Sequence, residues 1–244
     1  MANSYFQFKQ FTIHQDRSAM KVTTDACLFG AWTSKDIATN RQPNLRSLDI
    51  GAGTGLLSLM IAQQNQDCLI DAVEIDKEAA MQASENINAA DKASQVLVIH
   101  NDILHYRPAA SYDIIFSNPP FYENELKGEN TRKNLAHHNE GLLLPALFSL
   151  MRELLKAGGL FYLLLPYKRV NEIQQLFIAN NCSIFDFVVV RPAIHLPPFR
   201  ILVKGGFNGN GALPPITSEI AVKDEQGEYT PAFRELLKEF YLYL

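Results

Sequence analysis

Beyond residue 44, short apolar runs alternate with longer stretches of helical spacing. Leu45–Ile50 reads as a strand and Leu56–Gln64 (LLSLMIAQQ) as a buried helix. Cys68–Ile75 predicts the next strand. Lys77–Ala90 predicts a helix, with Asp76 placed to accept from its free N–H groups. Val96–His100 and Tyr112–Ser117 are further strands. Leu142–Leu155 is apolar at helical spacing and runs into Ala157-Gly158-Gly159, a C-cap signal. Leu160–Leu165 is a strand closed by Pro166, and Arg169–Asn180 is a helix. Phe185–Val190 and Arg200–Lys204 bring the strands to seven. Such alternation implies βαβ crossovers and an α/β fold, a doubly wound, mostly parallel seven-stranded sheet. Three stretches fall outside the pattern: residues 1–44, the polar loop Tyr122–Glu140, and the end after Gly205. With no repeat and no linker to divide the chain, residues 1–44 are expected to be an N-terminal extension packing on the core. Residues 45–244 are expected to be effectively a single domain.

Composition narrows the class. Hydrophobic residues at 47% and charged residues at 20% are ordinary for a soluble globular chain. The apolar run Leu160–Leu165 is far short of the roughly 20 residues a membrane span needs. Met1–Gln10 holds no apolar stretch of a secretory signal. The three cysteines, Cys27, Cys68 and Cys182, are odd in number and widely separated, without disulfide or metal-ligand spacing. A reduced, cytoplasmic protein with no membrane partner and no metal is expected; the oligomeric state is left open. The net charge of −4 means that any nucleic acid must be held by a few placed cations.

The strongest local chemistry is Asp49-Ile50-Gly51-Ala52-Gly53-Thr54-Gly55, between a strand and a helix. Glycines let the backbone turn tightly and approach a ligand, while the free N–H groups of the helix face it. The spacing is GxGxG rather than the GxGxxG of dinucleotide sites. Glu74 and Asp102 follow at the ends of the next two strands, where ligands of open α/β sheets bind. The first carboxylate suits a pair of ribose hydroxyls, the second an adenine amino group. Ser117-Asn118-Pro119-Pro120-Phe121 ends the fourth strand. An exocyclic or amide NH₂ is a poor nucleophile because its lone pair is delocalised. The Asn118 side-chain oxygen and the Pro119 carbonyl can each accept one N–H, orienting the lone pair and stabilising charge that grows on nitrogen. Pro120 stiffens the turn, and Phe121 offers a face to a planar target drawn out of its helix.

In this order, the glycine loop, Glu74, Asp102 and Asn118-Pro119-Pro120-Phe121 resemble class I S-adenosylmethionine-dependent methyltransferases acting on exocyclic or amide nitrogen. The flanks carry the likeness further. Phe8-Lys9-Gln10-Phe11-Thr12-Ile13-His14-Gln15-Asp16-Arg17, Met20-Lys21-Val22-Thr23-Thr24-Asp25 and Gly30-Ala31-Trp32 are similar to the bacterial tRNA1(Val) adenine-37 N6-methyltransferases. So are the tail segments Tyr229-Thr230-Pro231-Ala232-Phe233 and Phe240-Tyr241-Leu242. The resemblance implies a Rossmann-like domain with Asp49, Gly51, Gly53, Gly55, Glu74 and Asp102 toward the cofactor. Glu74 would meet its ribose, Asp102 its adenine, and Lys21 to Asp25 its methionine end. Asn118, Pro119, Pro120 and Phe121 would hold the target adenine.

Phe121 stands where adenine N6 enzymes commonly carry Tyr, and Phe also occurs in rRNA guanine N2-methyltransferases. Protein glutamine N5-methyltransferases share the Asn-Pro-Pro logic, although they usually carry a larger helical N-terminal domain. Lys127, Arg132 and Lys133 lie just past the motif and are the candidate tRNA contacts, joined by Lys9, Arg17 and Lys168; Glu123, Glu125 and Glu129 share the loop.

Overall fold

Helices and strands alternate along the chain in the computed structural model, which describes residues 3–40, 43–119, 144–207 and 216–244. Strands β1 (Tyr5–Gln7) and β2 (Thr12–His14) form an antiparallel hairpin, followed by helix α1 (Thr24–Thr39). Then come β3 (Arg46–Ile50), α2 (Leu56–Gln64), β4 (Leu69–Glu74), α3 (Lys77–Ala89), β5 (Val96–His100) and β6 (Tyr112–Ser117). The second half holds α4 (Leu144–Leu154), β7 (Leu155–Pro166), α5 (Val170–Ala179), β8 (Ser183–Ala193), β9 (Arg200–Gly206), β10 (Ile216–Lys223) and α6 (Pro231–Leu237).

The main sheet has the order β10-β8-β9-β7-β6-β3-β4-β5. The chain winds outward from β3 through β4 to β5, then returns to the other side of β3 as β6. The point where the winding reverses therefore lies between β3 and β6, which pair in parallel with Ile50 opposite Ser117. Open α/β sheets bind ligands at the carboxyl ends of their strands at such a point. Among the described strands of this sheet, β9 alone runs antiparallel, between β7 and β8.

Period-two alternation divides the core between the sheet's faces. In β7, Leu160, Tyr162 and Leu164 turn to one cluster, while Phe161, Leu163 and Leu165 turn to the other. Residues of α1, α2 and α6 complete the first cluster with Phe8, Phe11 and Ile13; residues of α4 and α5 complete the second.

Two expectations are corrected. Among the described residues the main sheet has eight strands, because Ile216–Lys223 adds an edge strand parallel to β8. Its sequence ITSEIAVK lacks the continuous apolar run of a central strand. Ala157-Gly158-Gly159 is no helix cap: α4 stops at Leu154 and the chain passes directly into β7. Gly158, at φ +78°, sits beside a break in the β6–β7 register between Tyr112 and Ile114, so the glycine signal marked a bulge. The expected helix Arg169–Asn180 is α5, bounded by its cap residues Arg169 and Asn180 and preceded by a 3₁₀ turn at Tyr167–Arg169.

Candidate active site

The turn after β3 is made by three residues in the left-handed region, Gly51 (φ +75°), Gly53 (φ +55°) and Gly55 (φ +79°). Side chains there would be strained, which accounts for the glycines. Both Gly51 N and Ala52 N donate to Val73 O, at 2.9 and 3.1 Å, folding the loop toward β4. Gly55 then caps α2. A Cβ built at Gly51 or Gly53 would meet none of the described residues within 4 Å, so this side of the loop is open toward them.

Glu74, the last residue of β4, is only 8% exposed. Its Oε2 accepts from Gly53 N and its Oε1 from Asp76 N, both at 2.8 Å. Asp76 in turn caps α3, accepting from Ala79 N at 2.8 Å. Thus one carboxylate fixes the glycine loop to the start of the next helix. Each oxygen takes one backbone donor and keeps a second acceptor position.

Asp102 lies two residues beyond β5 rather than on its last residue. Its Oδ1 accepts from Leu104 N at 2.9 Å and its Oδ2 faces His105 Nδ1 at 3.1 Å. This local turn competes with the ladder and ends the strand early. The side chain remains 32% exposed.

Asp49 is fully buried, and Ser58 on α2 donates to its Oδ2 at 2.7 Å. Its Oδ1 has no partner among the described residues. Burial pushes the carboxyl up to about 7 against the opposing Ser58 hydrogen bond, and the nearby charge of Glu74 adds to the rise. Asp49 is therefore tied to α2 from inside the fold.

At the end of β6, Ser117 Oγ donates to Ile50 O at 2.8 Å, joining the exit of β6 to that of β3. Asn118 follows half-buried and Pro119 buried, directly across the reversal point from the glycine loop. The Asn118 amide makes no hydrogen bond to another described residue. Pro120, Phe121, Lys127, Arg132 and Lys133 lie outside the described residues, as does the whole loop Tyr122–Glu140.

The other flanking cations have partners within the chain. Arg17 pairs with Glu85, and Lys9 Nζ donates to Lys238 O at 2.5 Å. Lys21 donates to Ser18 O at 3.1 Å and to Gln15 O. Thr23 caps α1, and Asp25 pairs with Arg200 at 2.8 Å.

Two residues absent from the sequence motifs reach the loop region. Gln82 and Asn86 of α3 are each 1% exposed and bind the end of β2 and the segment after it. Their only sequence signal was amides at i, i+4 among the buried Ala79, Ala83 and Ile87.

All three thiols are buried, and burial raises Cys27 and Cys182 to about 12 and Cys68 to about 11, so none is reactive at neutral pH. Two hollows of about 250 and 450 Å³ share Ile37 and Leu45 at the amino-terminal edge of the sheet, and neither reaches the glycine loop, Glu74 or Asn118. Among the described residues no helix is long and apolar enough to cross a membrane, and no group of three His, Cys, Asp or Glu could hold a metal ion.

Residues 34–160 match the family model of the methyltransferase small domain. The chain is 36% identical to the tRNA1(Val) (adenine(37)-N6)-methyltransferase of Parabacteroides distasonis, over 99% of both chains. It is also 36% identical to that of Dyadobacter fermentans, over 98% of both. Among solved structures, the "predicted O-methyltransferase" of Agrobacterium tumefaciens superposes with a TM-score of 0.65 at 17% identity, covering 88% of this chain and 96% of that one. At that identity the likeness is one of fold.

Proposed function

The chain belongs to the tRNA1(Val) (adenine(37)-N6)-methyltransferase family, and from that membership we propose that it methylates N6 of adenine 37 in valine tRNA. The observation that carries the reading is the pairing of two loops across the reversal point. A glycine loop braced by Glu74 stands beside Asn118-Pro119, and Ser117 ties the two strand exits together.

Bound S-adenosylmethionine supplies an electrophilic methyl group on a sulfonium. The residues present fit it. None of the described residues crowds Gly51 or Gly53, where a main chain without side chains allows close approach. The spare acceptor positions on Glu74 suit a ribose diol, and the partly exposed carboxylate of Asp102 suits an adenine amino group. The ionisable Asp49 behind the loop is a reserve of negative charge near a cationic ligand.

In our proposal, Asn118 and Pro119 accept the two N–H bonds of the target amine, aim its lone pair, and stabilise the positive charge that develops there. Pro120 holds the turn and Phe121 stacks on the base. No strong general base is needed, because a nitrogen that has gained a fourth substituent releases its proton readily to water. Lys127, Arg132 and Lys133, close to Phe121 in the chain, are assigned to tRNA phosphates. The tRNA substrate and the buried free thiols support a cytoplasmic location.

The test is methyl transfer in vitro to an unmodified valine tRNA transcript, followed by mass spectrometry of the nucleosides. N6-methyladenosine should form, and a transcript with guanine at position 37 should accept nothing. Methyl groups found on guanine N2 or on protein glutamine would refute the assignment.

A further inference from the structure

The buried amides of α3 have no part in the reading above, yet Asn86 bonds the glycine loop directly. Gln82 and Asn86 stand one turn apart on the same face of the helix. Asn86 Oδ1 accepts from His14 N at 2.9 Å, while its Nδ2 donates to His14 O and to Thr54 O, both at 2.9 Å. Its two donors and its acceptor are therefore all engaged. Gln82 Oε1 accepts from Arg17 N at 3.1 Å, and its Nε2 donates to Asp16 Oδ1 at 2.7 Å. The rest of this face is alanine and isoleucine, so apolar residues would satisfy packing alone. Buried amides whose oxygen and nitrogen both find partners instead fix one arrangement of the groups they join.

What they join is specific. Thr54 belongs to the glycine loop, between Gly53, whose N–H is held by Glu74, and Gly55, which caps α2. The segment from His14 to Thr23 is closed on itself like a strap. Gln15 Oε1 accepts from Val22 N at 2.7 Å, Lys21 donates to Ser18 O and Gln15 O, and Ser18 Oγ donates to Met20 O at 3.0 Å. The strap then leads into Thr23, the cap of α1. Helix α3 thus holds the strap and the loop at once.

We infer that Gln82 and Asn86 are positioning residues that register residues 14–23 against the glycine loop and make this strap a wall of the cofactor site. The inference rests on the reading of that site as one for S-adenosylmethionine.

Gln82→Leu separates the two roles, since Gln82 bonds only the strap whereas Asn86 bonds the strap and the loop. Calorimetric titration with S-adenosylhomocysteine, the demethylated cofactor, reads affinity per folded molecule; misfolded protein lowers the fitted stoichiometry and leaves affinity alone. Gln82→Leu should weaken binding roughly fivefold and Asn86→Leu roughly tenfold or more, as expected for the loss of buried hydrogen bonds. Gln82→Leu with affinity within about twofold of wild type, on the same scale, would overturn the inference. If that variant does not fold, hydrogen exchange of the wild-type protein decides. The His14 and Arg17 amides should exchange more slowly once S-adenosylhomocysteine is added, and unchanged exchange overturns the inference. Failure of the wild-type protein to bind S-adenosylhomocysteine would instead sink the reading of the site itself.

Discussion

Asp49→Asn tests the electrostatics beneath the glycine loop. Burial raises the Asp49 carboxyl from 3.8 to about 7 in the folded protein. The unfolded chain releases this proton near the ordinary value, so between roughly pH 4 and 7 the folded state holds a proton that the unfolded state has lost. Stability must then fall as pH rises through that window, by about 1.4 kcal/mol per unit and by at most about 4 kcal/mol in total. Asparagine has no proton to lose, and its carbonyl can still accept from Ser58. Its NH₂ takes the place of the unpartnered Oδ1, which adds a cost of about 1–3 kcal/mol that does not vary with pH. The offset between wild type and variant therefore carries little information, whereas its slope carries the argument. Urea unfolding of both proteins at a series of pH values from about 5 to 8 measures it, with other titrating groups cancelling in the difference. The difference should move in favour of the variant as pH rises and level off above about pH 7. A difference independent of pH over that range would refute the reasoning and return Asp49 to ordinary acidity.

Three further outcomes are expected. Glu74→Gln should weaken S-adenosylmethionine binding by about 1–3 kcal/mol, because an amide NH₂ would face one of the two backbone donors now held by the carboxylate. Calorimetry showing wild-type affinity would remove Glu74 from the cofactor site. Asn118→Ala should lower kcat by roughly 10²–10³ with cofactor affinity nearly unchanged, as for loss of one group that stabilises transition-state charge. A fall of less than about threefold on that scale, in single-turnover assays, would count against its role at the amine. Arg132 and Lys133 changed together to Glu should weaken tRNA binding and flatten its dependence on salt, with cofactor affinity unaffected. Wild-type binding across a salt series would clear this loop of any grip on the RNA.

The sequence by itself determined what depends on neighbours in the chain. The left-handed turn at Gly51, Gly53 and Gly55, the cap at Asp76, and Glu74 at the end of β4 all follow from local backbone geometry. The alternation of strand and helix was legible for the same reason, since burial on a sheet face or a helix stripe imposes its own period on the chain. Tertiary structure decided whatever needed partners distant in sequence. Helix α1 was hidden because its buried residues surround most of the helix and leave little polar stripe. Strand β10 was hidden because an edge strand needs no continuous apolar run. Gly158 carried the same sequence signal as a helix cap, and only the register of β6 against β7 made it a bulge. Asp49 reads in the motif as one more residue toward the cofactor; its acidity was set by the helix and sheet that enclose it. Gln82 and Asn86 belong to no motif, and they matter because folding brings residues 14–17 and 54 within hydrogen-bond reach of one helix face. A hydrogen bond is decided by three-dimensional distance, and sequence spacing encodes that distance only within a turn or two of the chain.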